Sequence, residues 1–147
     1  MYFADNTIYT YLQDHHTKVY NIGWLDDQYE YRKGYVAPKI IRKLVRIGER
    51  MDVNICRGAH FCQYCYKNPT FQIENKNHPR GNGEIWLPNK SFTKVYVAPK
   101  LILHYIQAHQ YLPPKEFIDA IAGYNFIRRF IFEHIFIKYL IKPTPDL

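Results

Sequence analysis

Cysteine is scarce in this chain of 147 residues, with three in all. That number is too small, and odd, for a disulfide framework, which excludes the small bridge-held secreted scaffolds. The start, Met1-Tyr2-Phe3-Ala4-Asp5, has neither a basic cluster nor an apolar run, so no secretory leader is expected. Together these absences predict a cytoplasmic protein with reduced thiols. His-Glu-x-x-His does not occur, and neither does His-x-Glu followed by Pro-Cys-x-x-Cys. The helical zinc-protease pattern and the nucleobase-deaminase pattern are therefore both missing.

Acids are also in the minority, 13 against 20 Lys and Arg, for a formal charge of +7. The imbalance is uneven. Asp5, Asp14, Asp26, Asp27 and Glu30 face only Lys18 in residues 1–31, whereas Arg32, Lys33, Lys39, Arg42, Lys43, Arg46 and Arg50 face only Glu49 in residues 32–50. The simplest reading is a solvated helix face, or one that neutralises the acidic start. The alternative is a phosphate-binding patch made by Lys39, Arg42, Lys43 and Arg46. Fourteen tyrosines stand out. Alongside abundant Ile, Lys, Asn and Phe they fit the bias of an AT-rich genome, and they are not read as a base-stacking set.

What is concentrated is the cysteine itself. Cys56-Arg57-Gly58-Ala59-His60-Phe61-Cys62-Gln63-Tyr64-Cys65 holds all three thiols and one of the seven histidines. Cys62-x-x-Cys65 is a chelate spacing, because two thiolates on a tight turn can hold one Zn²⁺. The residues able to complete a tetrahedron come much later, at His104-x-x-x-x-His109. The favoured ligand set is Cys62, Cys65, His104 and His109, with His60 in reserve and Cys56 after it. The competing reading makes the cysteines small buried apolar residues and the histidines surface or capping groups. His15, His16, His78 and His134 have no chelating neighbours.

Around this stretch the pattern is mixed. Val19 to Trp24 reads as a short strand, and Val53-Asn54-Ile55 as another. Ile40, Ile41, Leu44, Val45 and Ile47 recur at helical spacing behind Pro38, with Gly48 as terminator. Glu84 to Leu87 and Thr93 to Tyr96 flank Pro88-Asn89-Lys90-Ser91 as a hairpin. A helix over 99–110 carries the two histidines, and Pro113-Pro114 precedes another from Lys115 to Ala122. Tyr35-Val36-Ala37-Pro38-Lys39 returns as Tyr96-Val97-Ala98-Pro99-Lys100, which suggests two strand-to-helix corners of one kind. In that register Lys43 corresponds to His104 and Gly48 to His109. The predicted class is α+β: a small, mainly antiparallel sheet, three to four helices and a zinc knuckle. Residues 1–123 form the zinc-stapled domain. Residues 124–147 form an apolar helix and tail, with 124–141 packed on the domain or on a second copy. The four charges spread around 124–141 argue against a membrane span, and an interfacial membrane helix is the weaker alternative.

Several stretches together resemble a family of small bacterial proteins without an assigned activity. They are Asn21-Ile22-Gly23-Trp24-Leu25, Arg57-Gly58-x-His60-x-Cys62-x-x-Cys65, Gly81-Asn82-Gly83-Glu84-Ile85, Tyr96-Val97-Ala98-Pro99-x-Leu101-Ile102-x-His104-Tyr105, and His109-x-Tyr111-x-Pro113-Pro114. The resemblance covers roughly residues 1–123. It implies that His60, Cys62, Cys65, His104 and His109 belong to the shared pattern and that Cys56 does not.

The functional expectation is a non-enzymatic, zinc-stabilised interaction module of a bacterial regulatory or immunity type, with a protein partner. One alternative is a nucleic-acid-binding zinc module using the basic helix 38–47. The other is a zinc-dependent hydrolase with Glu84 as its acid or base.

Overall fold

A computed structural model describes residues 1–10, 18–51, 60–67 and 80–127. The elements in chain order are β1 (Val19–Asn21), α1 (Pro38–Glu49), β2 (His60–Phe61), α2 (Gln63–Tyr66), β3 (Arg80–Gly81), β4 (Glu84–Pro88), β5 (Val95–Pro99), α3 (Ile102–His109) and α4 (Lys115–Gly123). The class is α+β. One sheet has the strand order β1-β5-β4, and a second consists of β2 and β3.

β5 is the central strand, and its sequence explains why. Val95, Tyr96, Val97 and Ala98 form an apolar, largely β-branched or aromatic run that suits a strand covered on both faces, and all four are buried. On one edge β5 pairs antiparallel with β4 through five residue pairs, from Glu84↔Pro99 to Pro88↔Val95. On the other it pairs with β1 in parallel, from Val19↔Val95 to Asn21↔Val97. The sheet is therefore mixed. Parallel strands need a long crossover, and here α1 and the cysteine turn lie between β1 and β5. The hairpin joining β4 to β5 is pinned by Asn89, whose Oδ1 accepts from the amides of Thr93 and Lys94.

The helices cover one face. Ile40, Leu44 and Ile47 form the buried stripe of α1 at i, i+4, i+7 spacing. Phe117, Ala120 and Ile121 do the same for α4, with the Phe117 ring edge-on to Tyr96 at 6.1 Å. Gly48 does not end α1, which runs on to Glu49. A Cβ at Gly48 would stand in ordinary contact, 3.4 Å from Cδ1 of Ile85 on β4. Elsewhere on the sheet Tyr9 lies edge-on to Trp86 at 5.4 Å, and Trp24 Nε1 donates to the Val97 carbonyl at 3.0 Å.

The two Tyr-Val-Ala-Pro-Lys copies turn out not to be equivalent corners. In the first, Pro38 is already the first helical residue. In the second, Tyr96 to Pro99 are strand, and α3 starts only at Ile102. The second copy is extended because it has ladder partners on both sides. Proline fixes φ near a value common to strand ends and first helical turns, so it serves either role. Gly123 is the last residue of α4, and Tyr124 after it is extended. The expected strand Val53–Ile55 and the tail beyond residue 127 lie outside the described residues.

Gly23 joins β1 to the start of α3. Its φ is +70°, and a Cβ there would meet Ile102 Cδ1 at 2.9 Å. Ile102 is fully buried. Left-handed backbone strain and overpacking then act together, and Gly23→Ala is expected to lower stability by about 1–3 kcal/mol. Urea unfolding of the two proteins checks this: the midpoint should fall without a change of slope.

Candidate metal centre

The cysteine turn is built by two short elements. β2 pairs with β3, His60 opposite Gly81, and this brings the chain to Cys62. Cys62 is extended and stands directly before α2, whose single turn carries Cys65 three residues on; the Tyr66 amide donates to the Cys62 carbonyl at 3.0 Å. Both thiols are buried. Phe61 and Tyr66, on either side, are exposed.

The imidazoles come from α3. Ile102, Tyr105 and Ile106 hold that helix on the core. His104 and His109 are half-buried on it. His109 is its last residue. Gln110 then takes a left-handed conformation (φ 55°), and the amides of Gln110 and Tyr111 both donate to the Tyr105 carbonyl. A left-handed residue at this position is a common way for a helix to end.

A second segment clamps that end from outside. Tyr31 donates its hydroxyl to the His109 carbonyl at 2.9 Å. The Gly34 amide donates to the Gln110 carbonyl at 2.9 Å, and the Leu112 amide to the Arg32 carbonyl at 2.8 Å. Further along, the buried Tyr111 hydroxyl donates to Asp5, which also accepts from the Gly23 amide at 2.8 Å. Burial raises the Asp5 carboxyl above its ordinary range, and these donors pull it back down.

Cys62, Cys65, His104 and His109 meet here: one donor atom from each lies within 4.8 Å of all the others. Cys62 Sγ is 3.2 Å from His109 Nε2, and Cys65 Sγ is 3.2 Å from His104 Nε2 and 3.3 Å from His109 Nε2. The two Nε2 atoms are 3.2 Å apart, and the rings are nearly perpendicular at 81°. Hydrogen bonds cannot satisfy this arrangement. A neutral imidazole nitrogen has one proton or one in-plane lone pair, yet His109 Nε2 has three close neighbours. A tetrahedral zinc, about 2.0–2.1 Å from nitrogen and about 2.3 Å from sulfur, spans edges of roughly 3.3–3.8 Å. These four separations come within a few tenths of an ångström of the tetrahedron's edges. The cluster is thus compatible with a metal ion.

Its electrostatics favour the ligating form of the histidines. Burial pushes His104 down to about 4, helped by neighbouring His109. Burial, with a contribution from Lys33, also lowers His109. Both rings are therefore neutral at physiological pH. Burial, with Cys62 adjacent, raises the ion-free Cys65 thiol to about 11. Tyr64 packs against the His109 ring at 5.1 Å between centroids, and burial keeps its hydroxyl protonated.

The other predicted site residues fall elsewhere. His60 is exposed on β2 and is not part of the four-residue cluster. Cys56, His15, His16, His78 and His134 lie outside the described residues. Glu84 is on β4 as expected, but buried, accepting from Tyr9 Oη at 3.0 Å and Trp86 Nε1 at 2.8 Å. Of the basic face, Lys39, Arg42 and Arg46 are exposed; Lys43 donates to the Ala122 carbonyl at 2.6 Å and Arg46 lies over the Phe126 ring at 4.8 Å. The sequence reading overlooked Tyr31, Tyr64 and Asp5. Tyr64 had a signal, since it sits inside the Cys-x-x-Cys turn; Tyr31 and Asp5 had none that spacing could reveal.

The sequence model of a family described as a domain of unknown function (DUF7919) matches residues 1–122. Comparison with curated proteins and with solved structures returns no match.

The protonation states set a pH dependence for ion binding. The Cys65 thiol holds its proton up to about 11 in the ion-free protein, and a metal takes the thiolate. Each bound ion must then displace that proton, so apparent affinity rises with pH. His104, already neutral above about 4, adds no proton competition at neutral pH. Competition against a chelator between pH 6 and 8 should show affinity rising at least roughly tenfold per pH unit. A flat profile would remove thiolate ligation.

Proposed function

The chain belongs to the DUF7919 family, and from that footing we propose that it is a zinc-stabilised, non-enzymatic interaction module. The carrying observation is the crowding at His109 Nε2, where three donor atoms stand within 3.3 Å. Two sulfurs and two imidazole nitrogens in a tetrahedral arrangement are a donor set that suits zinc. Four protein ligands close the coordination sphere, which is the mark of a structural site. Cys62, Cys65, His104 and His109 are the residues we assign as ligands. In this role the ion would clasp the cysteine turn onto α3.

The interaction role draws on the surface. Phe61 is 48% exposed and Tyr66 58% exposed, flanking the cysteines, and Tyr35 is 80% exposed ahead of α1. Exposed aromatics next to a rigid turn suit contact with an apolar protein surface. The nucleic-acid alternative receives less support, because two of its four basic side chains, Lys43 and Arg46, already engage the Ala122 carbonyl and the Phe126 ring.

Metal analysis of the purified protein tests the centre. One zinc per chain is expected in wild type, with clear loss in Cys62→Ser and His109→Ala and retention in Cys56→Ser and His60→Ala. Cobalt substitution should give the visible absorption of a tetrahedral thiolate site. Loss of the ion should lower stability by several kcal/mol, because binding and folding free energies are linked. Full metal content in both ligand variants overturns the assignment. For the partner class, anisotropy with a short DNA duplex should show no binding with the steep salt dependence of phosphate contacts. Such binding would put the nucleic-acid reading in place of the protein-interaction one.

A further inference from the structure

Beside the cluster lies a cavity of about 80 Å³. Part of its lining is the cysteine turn, through His60, Phe61 and Gln63, and part is the start of α3, through Leu101 and Tyr105. Lining residues and cluster residues alternate along the same two elements. Cys62 stands between Phe61 and Gln63, and Tyr105 stands between His104 and His109. The side chains of Cys62 and His109, and of Cys65 and His104, meet in the cluster, while Phe61 and Gln63 beside Cys62, and Tyr105 beside His104, line the cavity. Anything that joins the cluster also sets the spacing of these two walls.

We propose that this cavity binds a planar nitrogen heterocycle of nucleobase size, and that the ion in the cluster holds its two walls in register. The second part rests on the zinc reading above.

Size decides the class first. At roughly 10–15 Å³ for each water, the cavity has room for about five to eight waters. That is the displacement of a one- or two-ring heterocycle. A larger ligand would have to extend out of the cavity, so the part enclosed is of this size.

The chemistry of the lining narrows it further. Trp24, Phe61 and Tyr105 contribute aromatic faces suited to a flat π-system. Asn82 contributes an amide with a donor and an acceptor end, and Gln63 its amide NH₂, since its Oε1 already accepts from the Asp27 amide. Glu84 also lines the cavity, but its carboxylate accepts from Tyr9 and Trp86, which lie outside the lining, so it is not counted among the recognition groups. A ring edge that alternates N–H donors with ring-nitrogen or carbonyl acceptors matches that set. A saturated ring of the same size would leave the polar groups desolvated without partners, which is unfavourable.

The test uses the full chain with its metal content measured on the same sample. Fluorescence reports occupancy, since Trp24 lines the cavity and the second tryptophan, Trp86, is buried outside its lining. Adenine, cytosine and uracil are titrated separately, with cyclohexanol as the saturated control. Saturable change with at least one base, and none with cyclohexanol, is expected. Phe61→Ala should weaken that binding roughly 5- to 150-fold, the range for loss of one stacking partner. Tyr66→Ala, also exposed but outside the lining, should bind like wild type. Stripping the ion with a chelator should weaken binding, roughly 5- to 150-fold for coupling of ordinary size. No saturable change with any base on ion-loaded protein overturns the proposal, as does wild-type affinity in Phe61→Ala. Equal affinity before and after stripping overturns the role given to the ion. Protein that never carries an ion counts against the zinc centre instead, and the metal analysis registers that independently of the titration.

Discussion

Nε2 of His109 has more neighbours than protons can serve. Cys62, Cys65 and His104 all approach it within 3.3 Å, and each such contact needs a hydrogen on one side and a lone pair on the other. At most one of the three can use the single proton or lone pair of that nitrogen. The other two contacts would then leave buried groups unsatisfied, which a folded protein avoids. A cation shared by all four donors removes the conflict, because every lone pair then points at the same charge. Without it, burial keeps Cys65 a thiol and His104 a neutral ring, and neither change of state supplies the missing pairings.

The cluster also depends on where α3 stops. If the helix ran further, His109 would sit mid-helix and its carbonyl would accept from a later amide of the same helix. The carbonyl instead accepts from Tyr31, and the Gln110 carbonyl from Gly34. Segment 31–34 thus supplies partners that the end of α3 would otherwise lack. The same residues bring aromatic mass to the site: the Tyr31 ring contacts both Tyr64 and Tyr111 edge-on. Tyr111 in turn ties Asp5 and the turn at Gly23 to the same corner. A segment from the first quarter of the chain therefore sets the reach of an imidazole in the last third.

Much of this geometry could be read from residue types, and the unreadable parts share a cause. The stripe on α1, the β4–β5 hairpin and the proximity of Cys62, Cys65, His104 and His109 all follow from periodicity or spacing, which are local signals. The parallel pairing of β1 with β5 does not, because a parallel partner is chosen by the path of the crossover and leaves no mark at the strand itself. The repeated Tyr-Val-Ala-Pro-Lys segment misled for a related reason. Identical residues are strand in one place and a helix start in the other, since Val97 has ladder partners on both sides and Val36 does not. Gly48 looked like a terminator, yet α1 runs one residue past it and packs that turn near Ile85. Tertiary contact overrode local preference in each case.

These contacts also say where an ion would matter to the fold. The central sheet is buried by α1 and α4 through Leu44, Ile47, Phe117 and Ile121, all almost fully inaccessible, and none of them supplies a donor atom to the cluster. That apolar core is the kind a chain of this length can sustain by itself. The cysteine turn has little comparable support: two residues of β2, two of β3 and a single turn of α2. Pairing of that size is marginal in isolation, so its attachment to α3 rests on side chains: the four cluster residues, together with Tyr64 packed on His109 and Tyr105. Removing the ion should therefore loosen the turn from α3 while leaving the sheet and its helices packed. Amide exchange separates the two regions. Protection should fall first in residues 60–67 and at the end of α3, with β4 and β5 protected up to global unfolding. Equal loss across β5 would mean that the ion supports the whole core.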